Sequence, residues 1–334
     1  MTPLVMPAAT AIFSLPSMTA ATRPRIGFLG TGWIGRQRLE AIARSDTAEV
    51  TAIAEPAREM AAECSSVAPE AVMLSSLEEL LELPLDGIVI ATPSALHAEQ
   101  AIAALEKGIA VFCQKPLACS QLEVARVIAA ARRSNVLLGV DLSYRFIRAV
   151  RKVRELVQVG DLGRVFAADL VFHNAYGPDK PWFYDWELSG GGCVVDLGTH
   201  MLDLALWTLN YPGVDHVSSR LFAQGKPLHG RGDSVEDYAI ARLDLETGPS
   251  LVLSCSWKVN AGRDAVISGT FYGTKGGACF HNLNGSIYDF AAERFRGTTR
   301  ETIAEPGDDW GGQAAVQWAA RLAAGRSMIP KLND

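Results

Sequence analysis

The sequence has 334 residues, 49% of them hydrophobic and 20% charged, with a formal net charge of -6. This length and composition indicate a globular protein of two domains and exclude a disordered or fibrous chain. The acidic balance and the lack of a basic cluster argue against nucleic acid as a partner, and no apolar run approaches the roughly 20 residues of a membrane span.

The N-terminal stretch, residues 1–22, is apolar but contains three prolines and neither lysine nor arginine. Because a signal peptide begins with a basic segment, we predict a disordered or loosely packed extension, with export as the alternative. The six cysteines are scattered and never spaced C-x-x-C, which is typical of buried thiols in a reducing compartment. We therefore expect a cytoplasmic protein.

The first motif is a short apolar strand that runs directly into a glycine-rich turn, RIGFLGTGWIG at residues 25–35. In this G-x-G-x-x-G pattern the first glycine permits the tight turn, the second lets a pyrophosphate approach the backbone, and the third lets the next helix pack on the sheet. A glycine-rich turn without a ligand is the alternative. The predicted cofactor-binding residues of the turn are Gly30, Thr31, Gly32, Trp33, Ile34 and Gly35.

Glu55 follows the second predicted strand, at the distance from the turn where dinucleotide-binding domains have an acidic residue. A carboxylate there accepts hydrogen bonds from the adenosine ribose hydroxyls and repels a 2′-phosphate. We therefore predict NAD(H) as the cofactor. Arg58 could reach a 2′-phosphate, which keeps NADP(H) as the less favoured alternative.

Residues 25–140 alternate short β-rich runs with helical stretches, which predicts a doubly wound parallel sheet in a domain spanning residues 23–142. Two helices have possible capping boxes, Ser76 with Glu79 and Ser120 with Glu123. The predicted strands are residues 26–29, 50–54, 87–91, 110–113 and 136–140, with 71–74 as a weaker candidate.

Beyond residue 145 the pattern changes to two helices, at residues 149–159 and 196–209, and then to strands in succession. Consecutive strands separated by short turns predict a mostly antiparallel sheet in an α+β domain, which we assign to residues 143–334. The strands predicted here are residues 216–223, 237–245, 250–257, 265–273, 277–281 and 286–290.

Ligands bind beyond the carboxyl ends of the strands in an open parallel sheet. Two segments follow strands in this way: Ala91, Thr92 and Pro93 with His97 in the next helix, and Gln114 with Lys115. Lys115 is therefore expected to point into the crevice, and a solvated surface lysine is the alternative.

Asp196, His200 and Asp203 have the spacing that places three side chains on one face of a helix. The alternatives are a helix cap at Asp196, a buried core histidine, and a divalent metal held by all three side chains. No further His or Cys lies nearby at a ligand spacing, so we predict no metal. The three glycines at residues 190–192 let the backbone approach another group, and a substrate is one candidate.

These motifs occur together: the glycine turn, ATPSALH, QKP, SYRF and GGG-x-x-x-D-x-G-T-H follow one another between about residues 25 and 280. In this combination the sequence resembles the Gfo/Idh/MocA oxidoreductases. The resemblance implies a Rossmann domain followed by a domain with a large open-faced sheet, through which such proteins often form dimers or tetramers. It also implies NAD(P)-dependent activity on sugars, sugar derivatives or inositol-like polyols.

The matched positions imply roles for individual residues. Lys115 corresponds to the catalytic lysine of the family's E-K-P motif, and Asp196 and His200 correspond to a pair that binds substrate and relays the proton. Arg145 matches a residue near the domain junction that often touches nicotinamide or substrate. Gln114 replaces the glutamate of E-K-P and removes a negative charge beside the lysine.

The predicted reaction is reversible hydride transfer between NAD and a hydroxyl of a sugar or cyclic polyol, with His200 as general base. Lys115 would polarise the same oxygen or accept the proton itself, and the sequence leaves both roles open. Trp182 belongs to an aromatic segment, residues 176–186, that would bind a sugar ring or form a packed loop. Two other functions stay open: NAD-using lyase, epimerase or glycoside-cleaving chemistry without net oxidation, and non-catalytic NAD sensing.

Overall fold

The computed structural model describes residues 23–230, 232 and 234–325, and the N-terminal extension predicted at residues 1–22 lies outside the described residues. The strands of the first sheet are β1 (Arg25–Leu29), β2 (Glu49–Ala54), β3 (Val72–Leu74), β4 (Gly87–Ile90), β5 (Ala110–Cys113) and β6 (Leu138–Val140). They pair in parallel in the order β3-β2-β1-β4-β5-β6. This is the strand order of a doubly wound dinucleotide-binding sheet, so the predicted fold of the first domain is confirmed.

The helices between these strands are α1 (Trp33–Ser45), α2 (Arg58–Ser65), α3 (Leu77–Leu81), α4 (His97–Glu106) and α5 (Gln121–Ser134). Three of them, α1, α3 and α5, begin where the sequence predicts them. The Ser76 hydroxyl accepts the N–H of Glu79, and the Ser120 hydroxyl accepts the N–H of Glu123. Both helix starts are therefore fixed by a side chain next to the first turn, as a capping box requires.

The second sheet contains nine strands in the order β15-β14-β13-β12-β7-β11-β10-β8-β9. They are β7 (Val165–Asn174), β8 (Val214–Ala223), β9 (Lys226–Leu228), β10 (Tyr238–Leu245), β11 (Ser250–Ser256), β12 (Ala265–Gly273), β13 (Gly277–Asn282), β14 (Phe290–Arg296) and β15 (Thr299–Ala304). Only β7 and β11 pair in parallel, so the predicted mostly antiparallel sheet is confirmed.

Two details of this sheet differ from the predictions. β7, at the centre of the sheet, and β9 and β15, at its two edges, are not among the predicted strands. The strand predicted at residues 286–290 is wrong, because the Ser286 hydroxyl accepts the N–H groups of Tyr288 and Asp289 and holds a turn there. β14 begins only at Phe290.

The second domain also contains α6 (Arg148–Gln158), α7 (Trp186–Ser189) and α8 (Thr199–Thr208). The buried faces of α6 and α8 join the core that Leu170 and Phe172 of β7 form on one side of the large sheet. Asp169 and Val171 alternate with these residues and lie on the opposite side. We call this second side, turned away from α6 and α8, the open face.

The last helix, α9 (Gln313–Ala323), follows the large sheet in sequence but packs on the first domain. Trp318 is buried, its ring centroid lies 5.6 Å from that of Phe112, and a side chain at Gly87 or Gly139 would collide with it. The prediction that residues 143–334 form one domain is corrected here, because the apolar face of α9 completes the core beneath the parallel sheet. No helix in the described part of the chain is long and apolar enough to cross a membrane.

Candidate active site

A cavity of about 800 Å³ lies between the carboxyl ends of the parallel strands and the second domain. It is lined by most of the predicted site residues, and only two of those residues, Thr31 and Arg145, do not line it. The predicted residues that line it are Gly30, Gly32, Trp33, Ile34, Gly35, Glu55, Ala91, Thr92, Pro93, His97, Gln114, Lys115, Trp182, Asp196 and His200.

The glycine turn has the shape that a pyrophosphate needs. Gly30 has a φ of 82°, in the left-handed region, and a Cβ at Gly35 would lie 2.4 Å from the Gly30 carbonyl oxygen. A Cβ at Gly32 would meet no described atom within 4 Å and would occupy the cavity instead. Because no side chain caps the start of α1, its first N–H groups are free to bind an anion, so the turn fits a dinucleotide.

Glu55 is held at the end of β2 by donors from its own domain. Its Oε2 accepts the backbone N–H of Thr31 at 2.8 Å and the Thr31 hydroxyl at 3.1 Å, and its Oε1 accepts the N–H of Ala57 at 3.0 Å. A carboxylate has about four acceptor sites, so these three bonds leave one for a ribose hydroxyl. Thr31 therefore orients Glu55, and its direct contact with the cofactor stays a prediction.

An ion pair between the two domains lies at one end of the cavity. We call this end, where the predicted catalytic residues lie, the reactive end. Lys115 Nζ lies 2.9 Å from Asp196 Oδ1 and also donates to the Asp196 carbonyl oxygen. Trp257 Nε1 donates to Asp196 Oδ2 at 3.0 Å. The Lys115 and Asp196 side chains are only 14% and 19% exposed, so they meet in a site that excludes most of the solvent.

His200 lies in the same cavity and stacks against Tyr144, with 4.5 Å between the ring centroids. Burial, with the nearby positive charges of Lys115 and Arg38, holds the pKa of His200 well below its ordinary value of 6.5. The ring is therefore neutral at pH 7. Among the described residues none hydrogen-bonds to this imidazole, so a nitrogen remains for a ligand hydroxyl.

Asp196 and His200 do not lie in one regular helix, which corrects the helix predicted at residues 196–209. Asp196 belongs to a π-helical turn, Val194–Gly198, and α8 begins only at Thr199. The Thr199 hydroxyl donates to the Val195 carbonyl oxygen at 2.9 Å and so stabilises the wide turn. Such turns are frequent at functional sites because they re-aim side chains from a helix.

The glycine run before this turn packs closely on protein at Gly192, and its Gly191 also lines the cavity. A Cβ at Gly192 would lie 1.9 Å from the carbonyl oxygen of Glu236. The Glu236 carboxylate accepts the N–H groups of Gly192 and Val194, each at 3.0 Å. The glycines therefore let Glu236 cap the turn that bears Asp196, and the close approach of this backbone to a substrate stays a prediction.

Arg145, which we predicted to contact nicotinamide or substrate, does not line the cavity and is paired within the second domain. Its Nε donates to Asp203 at 2.8 Å in a two-bond ion pair, and its guanidinium lies over the rings of Trp207 and Tyr211. The reason is the 3₁₀ turn Ser143–Phe146, in which Tyr144 points into the cavity and Arg145 points away. Because Asp203 is used by Arg145, the alternative metal site of Asp196, His200 and Asp203 does not form.

Gln114 orients Lys115 through a buried polar network. The Gln114 side chain accepts the N–H of Lys115 at 2.8 Å and donates to Asp141 Oδ2 at 3.0 Å. Asp141 is in turn paired with the buried Arg38, at 2.6 Å from its Nε. The negative charge of Asp141 therefore lies beside the Gln114 side chain. An amide at position 114 avoids the repulsion that a glutamate there would have with Asp141.

His97 is buried beneath the cavity and connects the two segments that follow β4 and β5. Its ring nitrogens lie 2.7 Å from the carbonyl oxygen of Pro116 and 2.8 Å from that of Thr92. Burial lowers its pKa. His97 thus fixes the positions of these loops, including the one that bears Lys115.

Some residues of the aromatic segment predicted at residues 176–186 line the cavity, and others only stabilise the local loop. Trp182 stacks on Phe183 with 3.8 Å between ring centroids, and both line the cavity. Asp185 instead accepts the N–H of Glu187 and caps α7. Cavity residues that the sequence did not reveal include Arg38, Tyr144, Phe172, Asn174, Trp257, Tyr288 and Trp310. For Tyr144 a signal existed, since it stands in the SYRF motif beside Arg145.

Asn174 is the most informative of these residues. It ends β7 at the cavity, and its buried Oδ1 has no hydrogen-bond partner among the described residues. A buried, unpaired amide oxygen is costly, so such an atom at a cavity wall is a candidate acceptor for a ligand hydroxyl.

Comparisons with known proteins agree with this fold. Residues 24–142 match the family model described as oxidoreductase family, NAD-binding Rossmann fold, and residues 150–279 match that of the GFO/IDH/MocA C-terminal domain. The chain belongs to the Gfo/Idh/MocA oxidoreductase family. Its first domain is the family's NAD-binding Rossmann domain.

Individual relatives are distant. D-glucoside 3-dehydrogenase of Escherichia coli (strain K12) is 30% identical over 209 residues, 60% of this chain and 60% of the relative, so the match spans less than two thirds of that protein. A putative UDP-kanosamine synthase oxidoreductase subunit of Amycolatopsis mediterranei (strain S699) is 31% identical, over 73% of this chain and 71% of the relative. The solved complex of levoglucosan dehydrogenase with NADH and L-sorbose has the same fold, with a TM-score of 0.80 and 22% identity over 93% of this chain and 92% of that one.

Proposed function

We propose that this protein is an NAD-dependent dehydrogenase that transfers a hydride between nicotinamide and a hydroxyl of a sugar, sugar derivative or inositol-like polyol. The observation that carries the proposal is that Lys115, Asp196 and His200 line the same cavity as the glycine turn. The names of the relatives, among them a D-glucoside 3-dehydrogenase and a 1,5-anhydro-D-fructose reductase, support a carbohydrate substrate.

The three polar side chains suit distinct tasks in this reaction. NAD, when bound, accepts or returns the hydride. His200, neutral and unbonded, takes the proton of the substrate hydroxyl as general base. Lys115 stabilises the charge that develops on the same oxygen, and its contact with Asp196 suits it to this electrostatic task rather than to accepting the proton. Asp196, fixed by Trp257, orients the ammonium and binds a neighbouring hydroxyl.

Glu55 favours NAD(H) over NADP(H) in this proposal. Its carboxylate is buried against Thr31 and Ala57, so a 2′-phosphate would have to approach a fixed negative charge. Arg58, the residue that could favour NADP(H), is exposed and does not line the cavity. We expect a lower KM for NAD⁺ than for NADP⁺, and the measurement of both constants with one substrate checks it.

For the substrate, the cavity offers flat apolar surfaces together with hydrogen-bonding groups. Trp182 and Phe183 provide faces for the C–H groups of a sugar ring. The unpaired Oδ1 of Asn174 provides an acceptor for a hydroxyl. This combination supports a ring with several hydroxyls as substrate.

We also propose a cytoplasmic homodimer or homotetramer that associates through the open face. This face exposes the apolar side chains of Ile240, Val252 and Tyr272. The six cysteines are free, which suits a reducing compartment. Light scattering on the purified protein checks the oligomer, and a charged Val252→Glu variant is expected to shift the mass toward the monomer.

The function is tested with a panel of sugars and inositols in the presence of NAD⁺, with NADH formation followed by absorbance. Saturable NAD⁺ reduction by one class of these substrates is the expected result. Substrate loss without NADH formation would instead indicate lyase, epimerase or glycoside-cleaving chemistry. Tight NADH binding without turnover of any substrate would indicate a sensor.

A further inference from the structure

Away from the cavity, three side chains with different metal-binding atoms lie together on the open face. Cys279 and His281 are two residues apart in β13, so they project from the same side of the sheet. Glu293 of β14 stands directly opposite Cys279 in the antiparallel pair. The strand period and the pairing register thus bring a thiol, an imidazole and a carboxylate together.

The distances between these donor atoms are those of a metal site. Cys279 Sγ lies 3.7 Å from His281 Nδ1 and 3.7 Å from Glu293 Oε2, and the three atoms all lie within 4.8 Å of one another. With Zn–S of about 2.3 Å and Zn–N or Zn–O of about 2.1 Å, a tetrahedral zinc ion sets sulfur about 3.6 Å from its other ligand atoms. Both sulfur-centred distances match this value.

We propose that Cys279, His281 and Glu293 bind one Zn²⁺ ion, with water as the fourth ligand, at a site separate from the NAD cavity. The mixed sulfur, nitrogen and oxygen donor set suits zinc, whereas Mg²⁺ and Ca²⁺ prefer oxygen alone. On binding, the Cys279 proton leaves to solvent and His281 gives its Nδ1 lone pair. The thiolate and the carboxylate then balance the two positive charges of the ion, and no electron is transferred.

In the separate chain an ion can reach the cluster from solvent, before the open face associates with a second copy. Cys279 is 7% exposed and the Glu293 side chain 14% exposed, while His281 is half-buried, so all three ligands are partly shielded from solvent. Arg300 lies 3.5 Å from Glu293 Oε1, the oxygen that does not approach the sulfur. It therefore orients the carboxylate as outer-shell partners of metal ligands do.

The competing interpretation is a hydrogen-bonded cluster without an ion. Burial and the charge of Glu293 raise the pKa of the Cys279 thiol to about 11, which favours a protonated thiol that donates to Glu293. The two interpretations differ in whether the full-length protein binds zinc with defined stoichiometry. They make the same prediction for NAD binding, so the test does not depend on the proposed function.

The test is a Zn²⁺ titration of chelator-treated, full-length protein in competition with a chromogenic chelator. We expect one Zn²⁺ per chain at this site, with an affinity that falls roughly tenfold or more in Cys279→Ser, His281→Gln and Glu293→Gln. Co²⁺ in place of Zn²⁺ is expected to give a thiolate-to-metal charge-transfer band that Cys279→Ser lacks. Glu293→Gln keeps the size of the side chain, so it reports on the ligand charge with little effect on folding.

Two matched control variants remove a thiol and an imidazole at positions outside the cluster. Cys119→Ser and His216→Gln change a partly exposed cysteine and an exposed histidine outside the cluster, and both are expected to keep the zinc affinity and the cobalt band. Circular dichroism and NADH binding confirm that each variant is folded. An absence of stoichiometric zinc, or an unchanged affinity in Cys279→Ser, would overturn the proposal.

Discussion

The two ends of the cavity are built from different ranges of the chain. At the nucleotide end, the glycine turn, the start of α1 and Glu55 all lie within residues 25–57, and their contacts are largely with nearby backbone. At the reactive end, Lys115 and Asp196 are 81 residues apart and meet only because the two sheets pack together. Since the groups that would hold the pyrophosphate and the groups that would act on the substrate come from different segments, we expect cofactor affinity and turnover to respond to different substitutions.

The largest effect is expected at the reactive end. In the proposed mechanism Lys115→Met and His200→Ala each remove a group that acts on the reacting oxygen, so kcat should fall about 100-fold. NADH affinity, measured by fluorescence titration, should change little because the glycine turn is intact. Lys107→Met removes an exposed lysine paired with Glu82 and serves as the control. Full turnover in either active-site variant would disprove the assigned roles.

A substitution at the nucleotide end should have the opposite signature. In Gly32→Val the new side chain would occupy the space where the pyrophosphate binds, so the KM for NAD⁺ should rise about tenfold. At saturating NAD⁺ the kcat should stay near that of the wild type. Steady-state kinetics with varied NAD⁺ separate the two constants, and a fall in kcat alone would contradict the separation of the two ends.

The buried histidine makes the reactive end sensitive to acid. Because the pKa of native His200 is below 6.5, the unfolded chain binds a proton that the native state does not as the pH falls below 6.5. The contribution of the neutral His200 to the free energy of unfolding is therefore complete above pH 6.5. Below pH 6.5 it is lost, by up to about 1.4 kcal/mol per pH unit. The free energy of unfolding, measured with urea between pH 5.5 and 7.5, should depend less steeply on pH in His200→Gln than in the wild type. An equal pH dependence of the two proteins would contradict a neutral, buried His200.

The network under Lys115 connects the two ends, and Gln114→Glu tests it. The new carboxylate would lie near Asp141 Oδ2, which now accepts a hydrogen bond from Gln114 at 3.0 Å. Repulsion raises the pKa of one acid in the folded state, so the loss of stability, about 1 kcal/mol, should be full at pH 8 and relieved at pH 4. Gln313→Glu, in the first turn of α9, is the control. A loss of stability that does not depend on pH would point to packing instead.

The smallest effect concerns cofactor choice. Glu55→Gln keeps the acceptor oxygen but removes the charge that opposes a 2′-phosphate, so the preference for NAD⁺ over NADP⁺ in kcat/KM should narrow about threefold. The kcat with NAD⁺ should be unchanged, because Glu55 lies at the nucleotide end. An unchanged ratio would show that another group selects the cofactor.

Much of the first domain could be predicted because its signals are local. The glycine turn and the capping boxes at Ser76 and Ser120 depend on hydrogen bonds within a few residues. In the second domain, buried and more exposed residues alternate along the β7 sequence VFAADLVFHN. The sequence around β7 does not indicate, however, that this strand pairs in parallel with β11. The sequence around Trp318 does not indicate that this residue packs on Gly87 and Gly139 of the first domain.

The sequence by itself determined the glycine turn with its acidic partner, the parallel sheet, and the three polar residues of the reactive end. Only the tertiary structure decided that Arg145 turns to Asp203, that the glycine run packs on Glu236, and that Tyr144 and Asn174 reach the cavity. The physical reason is the range of the contacts. Turns and caps are set by neighbouring residues, whereas partners from distant segments are selected by burial, charge pairing and shape once the chain has folded.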